Sequence, residues 1–122
     1  MANEKKRKVA VVGCGSVGTF AARAIMASSD LELVGIVRRP ESLSRGVPPE
    51  LRDIPVVSSI ESLDGVEAAC LAVPTRQVPE HAERILSLGI NTVDSYDIHG
   101  ELVNVKKRLD TIAREAGSVA VI

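Results

Sequence analysis

Polar and apolar residues follow two rhythms along this chain. Short, mostly apolar runs occur at 8–12 (KVAVV), 31–37 (LELVGIV), 55–58 (PVVS), 68–73 (AACLAV), 90–94 (INTVD) and 119–122 (VAVI). Apolar runs without strict alternation mark strands buried on both faces of a parallel sheet. Between several of them, apolar residues recur every third or fourth position, the spacing of an amphipathic helix. Val17, Phe20, Ala21, Ala24 and Ile25 predict the buried stripe of a first helix that ends near Ser28-Ser29-Asp30. A second helix admits Pro79 in its first turn, buries Val78, Ala82, Ile85 and Leu86, and ends near Leu88 with Gly89 in a left-handed turn. A third buries Leu102, Val105, Leu109, Ile112, Ala113 and Ala116 and is stopped by Gly117.

The stretch RRPESLSRGVPPELRDIP, between the second and third strands, is rich in Pro, Ser and charge. It predicts a loop with at most one helical turn where a crossover helix would otherwise lie. Strands alternating with helices imply an α/β fold: a doubly wound, mostly parallel sheet of about six strands with helices on both faces, the Rossmann-type dinucleotide-binding arrangement. Such sheets bind ligands beyond the carboxyl ends of their strands, and the last run reaches Ile122. Residues 8–122 are therefore expected to be the cofactor-binding part of a larger enzyme whose substrate domain is absent here, and residues 1–7 a disordered basic leader.

The composition narrows the partners. The 122 residues carry a net charge of -1 with 25% charged and 2% aromatic residues. Neither the charge balance nor the near absence of stacking side chains suits nucleic acid. A small-molecule partner is expected. Cys14 and Cys70 lie far apart in no metal-binding or disulfide pattern, which fits a reducing cytoplasm. The run VAVVG behind the basic leader is too short for a signal core or a membrane span.

GCGSVG, Gly13 to Gly18, is a GxGxxG motif that follows a strand and opens a helix, the context its mechanism requires. Gly13 permits the tight turn, Gly15 lets the backbone approach a pyrophosphate, and Gly18 lets helix and strand pack closely. The helix start at Ser16 and Val17 offers free amides and a partial positive charge to the phosphates. At the end of the second strand, where an Asp or Glu would take the ribose hydroxyl of NAD, stand Arg38 and Arg39. Guanidinium groups pair with a 2′-phosphate, so NADP is the expected cofactor. After the fourth strand, Thr75 offers a hydroxyl either to the nicotinamide side or as a helix cap.

The densest chemistry is VDSYDIHGEL, 93–102. Capping accounts for part of it: Asp97 or Ser95 at a helix start, Glu101 at its positive end, Asp94 on a neighbouring backbone group. It does not account for a third carboxylate, Tyr96 and His99 gathered at the cofactor side of the sheet. Carboxylates beside a nicotinamide suit a substrate with an ammonium group, which one of them holds and deprotonates.

VAVVGCGSVG, ELVGIVRR and NTVDSYDIHGEL, in this order and separation, resemble the amino-terminal domain of the meso-diaminopimelate dehydrogenase family across Lys8 to Ile122. The resemblance implies an NADP-dependent oxidoreductase that oxidatively deaminates the D-centre of meso-2,6-diaminopimelate to L-2-amino-6-oxopimelate, in lysine and cell-wall precursor synthesis. It also implies a homodimer, dimerised through a carboxyl-terminal domain. By this likeness Gly13, Gly15, Ser16 and Val17 hold the pyrophosphate, Gly18 completes the loop, Arg38 and Arg39 hold the 2′-phosphate, and Thr75 lies near the nicotinamide. Asp97 is then the catalytic and substrate-binding carboxylate, Tyr96 and Glu101 bind substrate with it, Glu101 standing where relatives carry Asp, His99 flanks them and Asp94 supports the site. The alternatives are the cofactor domain of a Gfo/Idh/MocA-type dehydrogenase or of a dihydrodipicolinate reductase, or a nucleotide sensor without catalysis. Sugar dehydrogenases of the first kind commonly carry an EKP-like lysine motif where this chain has DSYD.

Overall fold

The apolar runs become β1 (Arg7–Val12), β2 (Leu31–Val37), β3 (Val56–Val57), β4 (Ala68–Leu71), β5 (Asn91–Val93) and β6 (Ala120–Val121). Between them lie α1 (Ser16–Ala27), α2 (Val78–Ser87) and α3 (Leu102–Ala116). This is a computed structural model and describes residues 5–122. The strands form one sheet in the order β3-β2-β1-β4-β5-β6, and every neighbouring pair runs parallel. The order reverses between β1 and β4, which opens a crevice beyond their carboxyl ends. β1 begins at Arg7, inside the stretch read as leader; Met1 to Glu4 lie outside the described residues.

Two apolar layers sandwich the sheet. On one face α2 and α3 pack Val78, Ala82, Ile85, Leu86, Val105, Leu109 and Ala113 against Ala10, Val12, Ala69 and Leu71, as their spacing predicts. On the other face α1 packs against Val9, Val11, Leu33 and Ile36. α1 departs from the prediction. Its buried residues are Gly18, Ala22 and Ile25, whereas Val17 and Phe20 are two-thirds exposed, at 67% and 66%. The rotation follows from contact distance: a helix that seats a glycine on the sheet turns its small residues inward and its larger ones aside. α1 covers only the β1, β2 and β4 side of this face. Val93 and Val121, paired in register between β5 and β6, remain exposed.

No crossover helix joins β2 to β3. The expected single helical turn is two turns of 3₁₀ helix, Pro40–Ser42 and Pro49–Leu51, each opened by the fixed φ of a proline. Leu51 is fully buried in the α1 layer and anchors the loop. Gly117 ends α3 at φ 72°, a left-handed conformation that a Cβ disfavours.

Candidate cofactor and substrate site

The phosphate loop is held by contacts that leave no room for side chains. Gly13 turns the chain at φ 99°, and a Cβ there would lie 2.3 Å from the Ala72 carbonyl oxygen behind β4. A Cβ at Gly18 would lie 2.3 Å from the Gly13 carbonyl oxygen. At Gly15 a Cβ would meet nothing within 4 Å, so the space above this residue is open. Gly15 is the N-cap of α1, no side chain caps the helix, and its first turn holds no acidic residue. The positive end of α1 is therefore uncovered and suited to a phosphate. Ser16 and Val17 are exposed at this end.

Beside the loop lies a cleft of about 390 Å³ at the switch between β1 and β4, lined by Gly13, Gly15, Arg38, Arg39, Pro74 and others. Arg38 is half-buried, and its Nη1 donates to the Arg45 carbonyl at 2.8 Å and more loosely to that of Ser42 at 3.4 Å. Arg39 is exposed and pairs with Glu41 at 3.6 Å. Arg45, Gln77 and His81 are among the lining residues that escaped the sequence reading. Gln77 and His81 are four apart across the start of α2, so the helical spacing already placed them on one side. Burial pushes the His81 imidazole below its ordinary value, which favours its neutral form.

The acidic stretch folds into a braced loop beyond β5. Asp94 Oδ1 accepts the Tyr96 amide at 2.8 Å, the backbone bond expected of it, while its buried Oδ2 has no partner. Burial pushes this carboxyl above the usual range, and the Tyr96 amide only partly offsets that. The Tyr96 side chain is buried in the α2 and α3 layer, and its hydroxyl donates to Glu101 at 3.1 Å. Burial, then the Glu101 carboxylate, raises the phenol's pKa. The Asp97 amide donates to the Thr75 hydroxyl at 3.2 Å, tying the loop behind β5 to the loop behind β4.

Neither expected cap forms. α3 is entered from a 3₁₀ turn, His99–Glu101, and no side chain caps that turn, α3, or α2 and the 3₁₀ turn leading into it. Asp97, Ser95 and His99 are left exposed, and Thr75 serves Asp97 instead of a helix. The structure thus brings Gly13, Gly15, Arg38 and Arg39 together in one cleft. Tyr96 and Glu101 instead line a smaller hollow of about 250 Å³ between α2 and α3, with Arg76 and Arg108. Among the described residues, no helix is long and apolar enough to cross a membrane.

A family model described as the oxidoreductase family, NAD-binding Rossmann fold, of the Gfo/Idh/MocA type matches residues 7–119. The chain belongs to this family. Similarity to individual members of known name is more specific. The chain is 43% identical to the meso-diaminopimelate D-dehydrogenase of Bacteroides fragilis, over 97% of its own length and 39% of the relative's. Among solved structures it matches the diaminopimelate dehydrogenase of Corynebacterium glutamicum in complex with diaminopimelate, at a TM-score of 0.76 and 28% identity, over 94% of this chain and 35% of that one. It also matches an engineered D-amino acid dehydrogenase bound to NADP+, at a TM-score of 0.79 and 25% identity, over 97% of this chain and 36% of that one. This Gfo/Idh/MocA cofactor domain therefore spans little more than a third of the length of the proteins it matches.

Proposed function

We propose that this chain is the NADP-binding domain of a meso-diaminopimelate dehydrogenase, and that a carboxyl-terminal domain of the whole enzyme completes the substrate site and forms a homodimer. The enzyme removes the amino group from the D-centre of meso-2,6-diaminopimelate in the cytoplasm, in lysine and cell-wall precursor synthesis. The observation that carries this reading is Asp97: an exposed carboxylate at the carboxyl edge of the sheet, free of the capping role its spacing suggested and held by its own backbone to Thr75. The relatives named for diaminopimelate support the substrate, and the neighbour bound to NADP+ supports the cofactor.

The residues present fit a dinucleotide. The open space over Gly15 and the uncapped start of α1, at Ser16 and Val17, accept the pyrophosphate, while Gly13 and Gly18 hold the loop in shape. Arg38 and Arg39 stand at the ribose end, where guanidinium groups neutralise a 2′-phosphate. When bound, NADP would supply the acceptor for the hydride that leaves the amine-bearing carbon. Asp97 holds the substrate ammonium by charge and accepts one of its protons, which frees the nitrogen lone pair to assist hydride departure. Water then supplies the oxygen of the new carbonyl and ammonia leaves. The Thr75 hydroxyl holds the backbone of Asp97. Tyr96 and Glu101, bonded to each other, support the loop from behind.

The test is NADPH formation by the full-length protein with meso-diaminopimelate, its LL-isomer and simple D-amino acids. Turnover of the meso compound alone is expected. Asp97→Asn should lower turnover by at least about a hundredfold, the range of a general base, with NADPH affinity unchanged. Loss of both together would assign Asp97 a structural role.

A further inference from the structure

The ribose wall of the cleft contains three arginines, and their surroundings divide them. Arg38 Nη1 is engaged by two backbone carbonyls of the following loop, those of Ser42 and Arg45. The same loop is bonded along its own backbone, with the Ser42 amide on the Arg39 carbonyl at 2.9 Å and the Arg45 amide on that of Ser42 at 3.1 Å. The Ser42 side is buried, so this short arch has a fixed base. Arg39 shares its charge with Glu41. Arg45 lines the cleft, is exposed, and makes no ion pair among the described residues. Among the described residues the Arg45 guanidinium makes neither a hydrogen bond nor an ion pair, whereas that of Arg38 is spent on carbonyls and that of Arg39 on Glu41; with its backbone anchored at the cleft wall, Arg45 is the arginine left available to a phosphate.

We propose that Arg45 is the residue that selects a dinucleotide bearing a 2′-phosphate, and that Arg38 is a positioning residue that holds the arch carrying Arg45. The proposal rests on the NADP reading above and revises one part of it: the charge role given there to Arg38 passes to Arg45, and Arg38 serves the 2′-phosphate only by holding Arg45 in place. The guanidinium of Arg38 acts through geometry, fastening the Arg45 carbonyl; that of Arg45 acts through charge on the phosphate.

Fluorescence titration of the 122-residue chain with NADPH and with NADH tests both roles. Arg45→Gln should weaken NADPH binding by about tenfold, the worth of one charged hydrogen bond, and leave NADH binding unchanged. Arg45→Lys, which keeps the charge, should retain most of the preference. Arg38→Gln should weaken NADPH binding in the wild-type background, yet add less than about twofold once Arg45 is Gln, because a residue that acts through another has nothing left to position. Unchanged NADPH affinity in Arg45→Gln, or independent additive losses, would overturn the proposal. NADH affinity reports folding in every variant. Equal affinity of the wild-type chain for the two dinucleotides would overturn the NADP reading itself, an outcome distinct from a wild-type preference that survives the loss of Arg45.

Discussion

Gly15 and Gly18 separate binding from folding within one motif. At Gly18 an alanine Cβ would stand 2.3 Å from the Gly13 carbonyl oxygen, 2.9 Å from its carbon and 3.4 Å from the Ala72 Cβ. The first two are backbone atoms of a turn that is itself fixed, so α1 must shift away from the sheet. Overpacking of this kind costs about 1–3 kcal/mol. For a domain of this size that lowers Tm by about 4–12 °C, at roughly 4 °C per kcal/mol. At Gly15 the backbone has φ -82° and a Cβ touches nothing. Alanine there is a poorer N-cap by about 0.5–1 kcal/mol and restricts the unfolded chain by about 0.4–1 kcal/mol, and these offset each other. Gly15→Ala should therefore leave Tm within about 2 °C. The added methyl nonetheless occupies the space a pyrophosphate needs, so NADPH affinity should fall at least about tenfold. Far-UV circular dichroism follows unfolding, and the chain's lack of tryptophan leaves NADPH fluorescence clear for the titration. Equal destabilisation by the two substitutions, or unimpaired NADPH binding by Gly15→Ala, would refute this division of roles.

Two further outcomes are expected. Tyr96→Phe removes the bond to Glu101, whose carboxylate is exposed and can turn to water; the loss should be about 0.5–1.5 kcal/mol in urea unfolding, with NADPH affinity unchanged. Asp94→Asn should alter the pH dependence of stability. Burial raises the Asp94 carboxyl above its ordinary 3.8, so the folded state binds its proton more tightly than the unfolded chain does. The stability this group contributes is full below 3.8 and is lost as pH rises through the raised value. Relative to wild type, Asp94→Asn should thus gain stability between about pH 4 and pH 7 in urea midpoints; a constant difference across that range would count against a raised Asp94.

Much of the fold was legible because parallel strands buried on both faces leave apolar runs that little else produces. β2 matches its predicted bounds, α3 ends at Gly117 as predicted, and the buried faces of α2 and α3 carry large side chains at helical spacing. α1 was misjudged for the opposite reason. Its inward residues Gly18 and Ala22 carry little apolar surface, so Val17 and Phe20 dominated a pattern weighted by size. The phosphate loop was readable because GxGxxG encodes steric demands local to the chain. The bonds around Asp97 and Arg38 were not. The Thr75 contact joins residues 22 positions apart, and the Arg38 bond to Arg45 depends on how an irregular loop curls. Spacing allowed caps at Thr75 and Asp97 as readily as functional roles, and the 3₁₀ turns that lead into α2 and α3 removed the geometry those caps require.

The two ends of the cleft are built from different material. Around Gly13, Gly18 and Ala72 each residue is small because another atom already fills the adjacent space, so almost any change there disturbs the packing of β1, α1 and β4 together. The ribose end is a surface arch fastened by Arg38 to carbonyl oxygens, and any residue can supply a carbonyl. Side chains along that arch are therefore open to replacement without repacking the interior. In evolution and in engineering alike, a domain made this way can keep its grip on the phosphates shared by all dinucleotides while exchanging one cofactor preference for another.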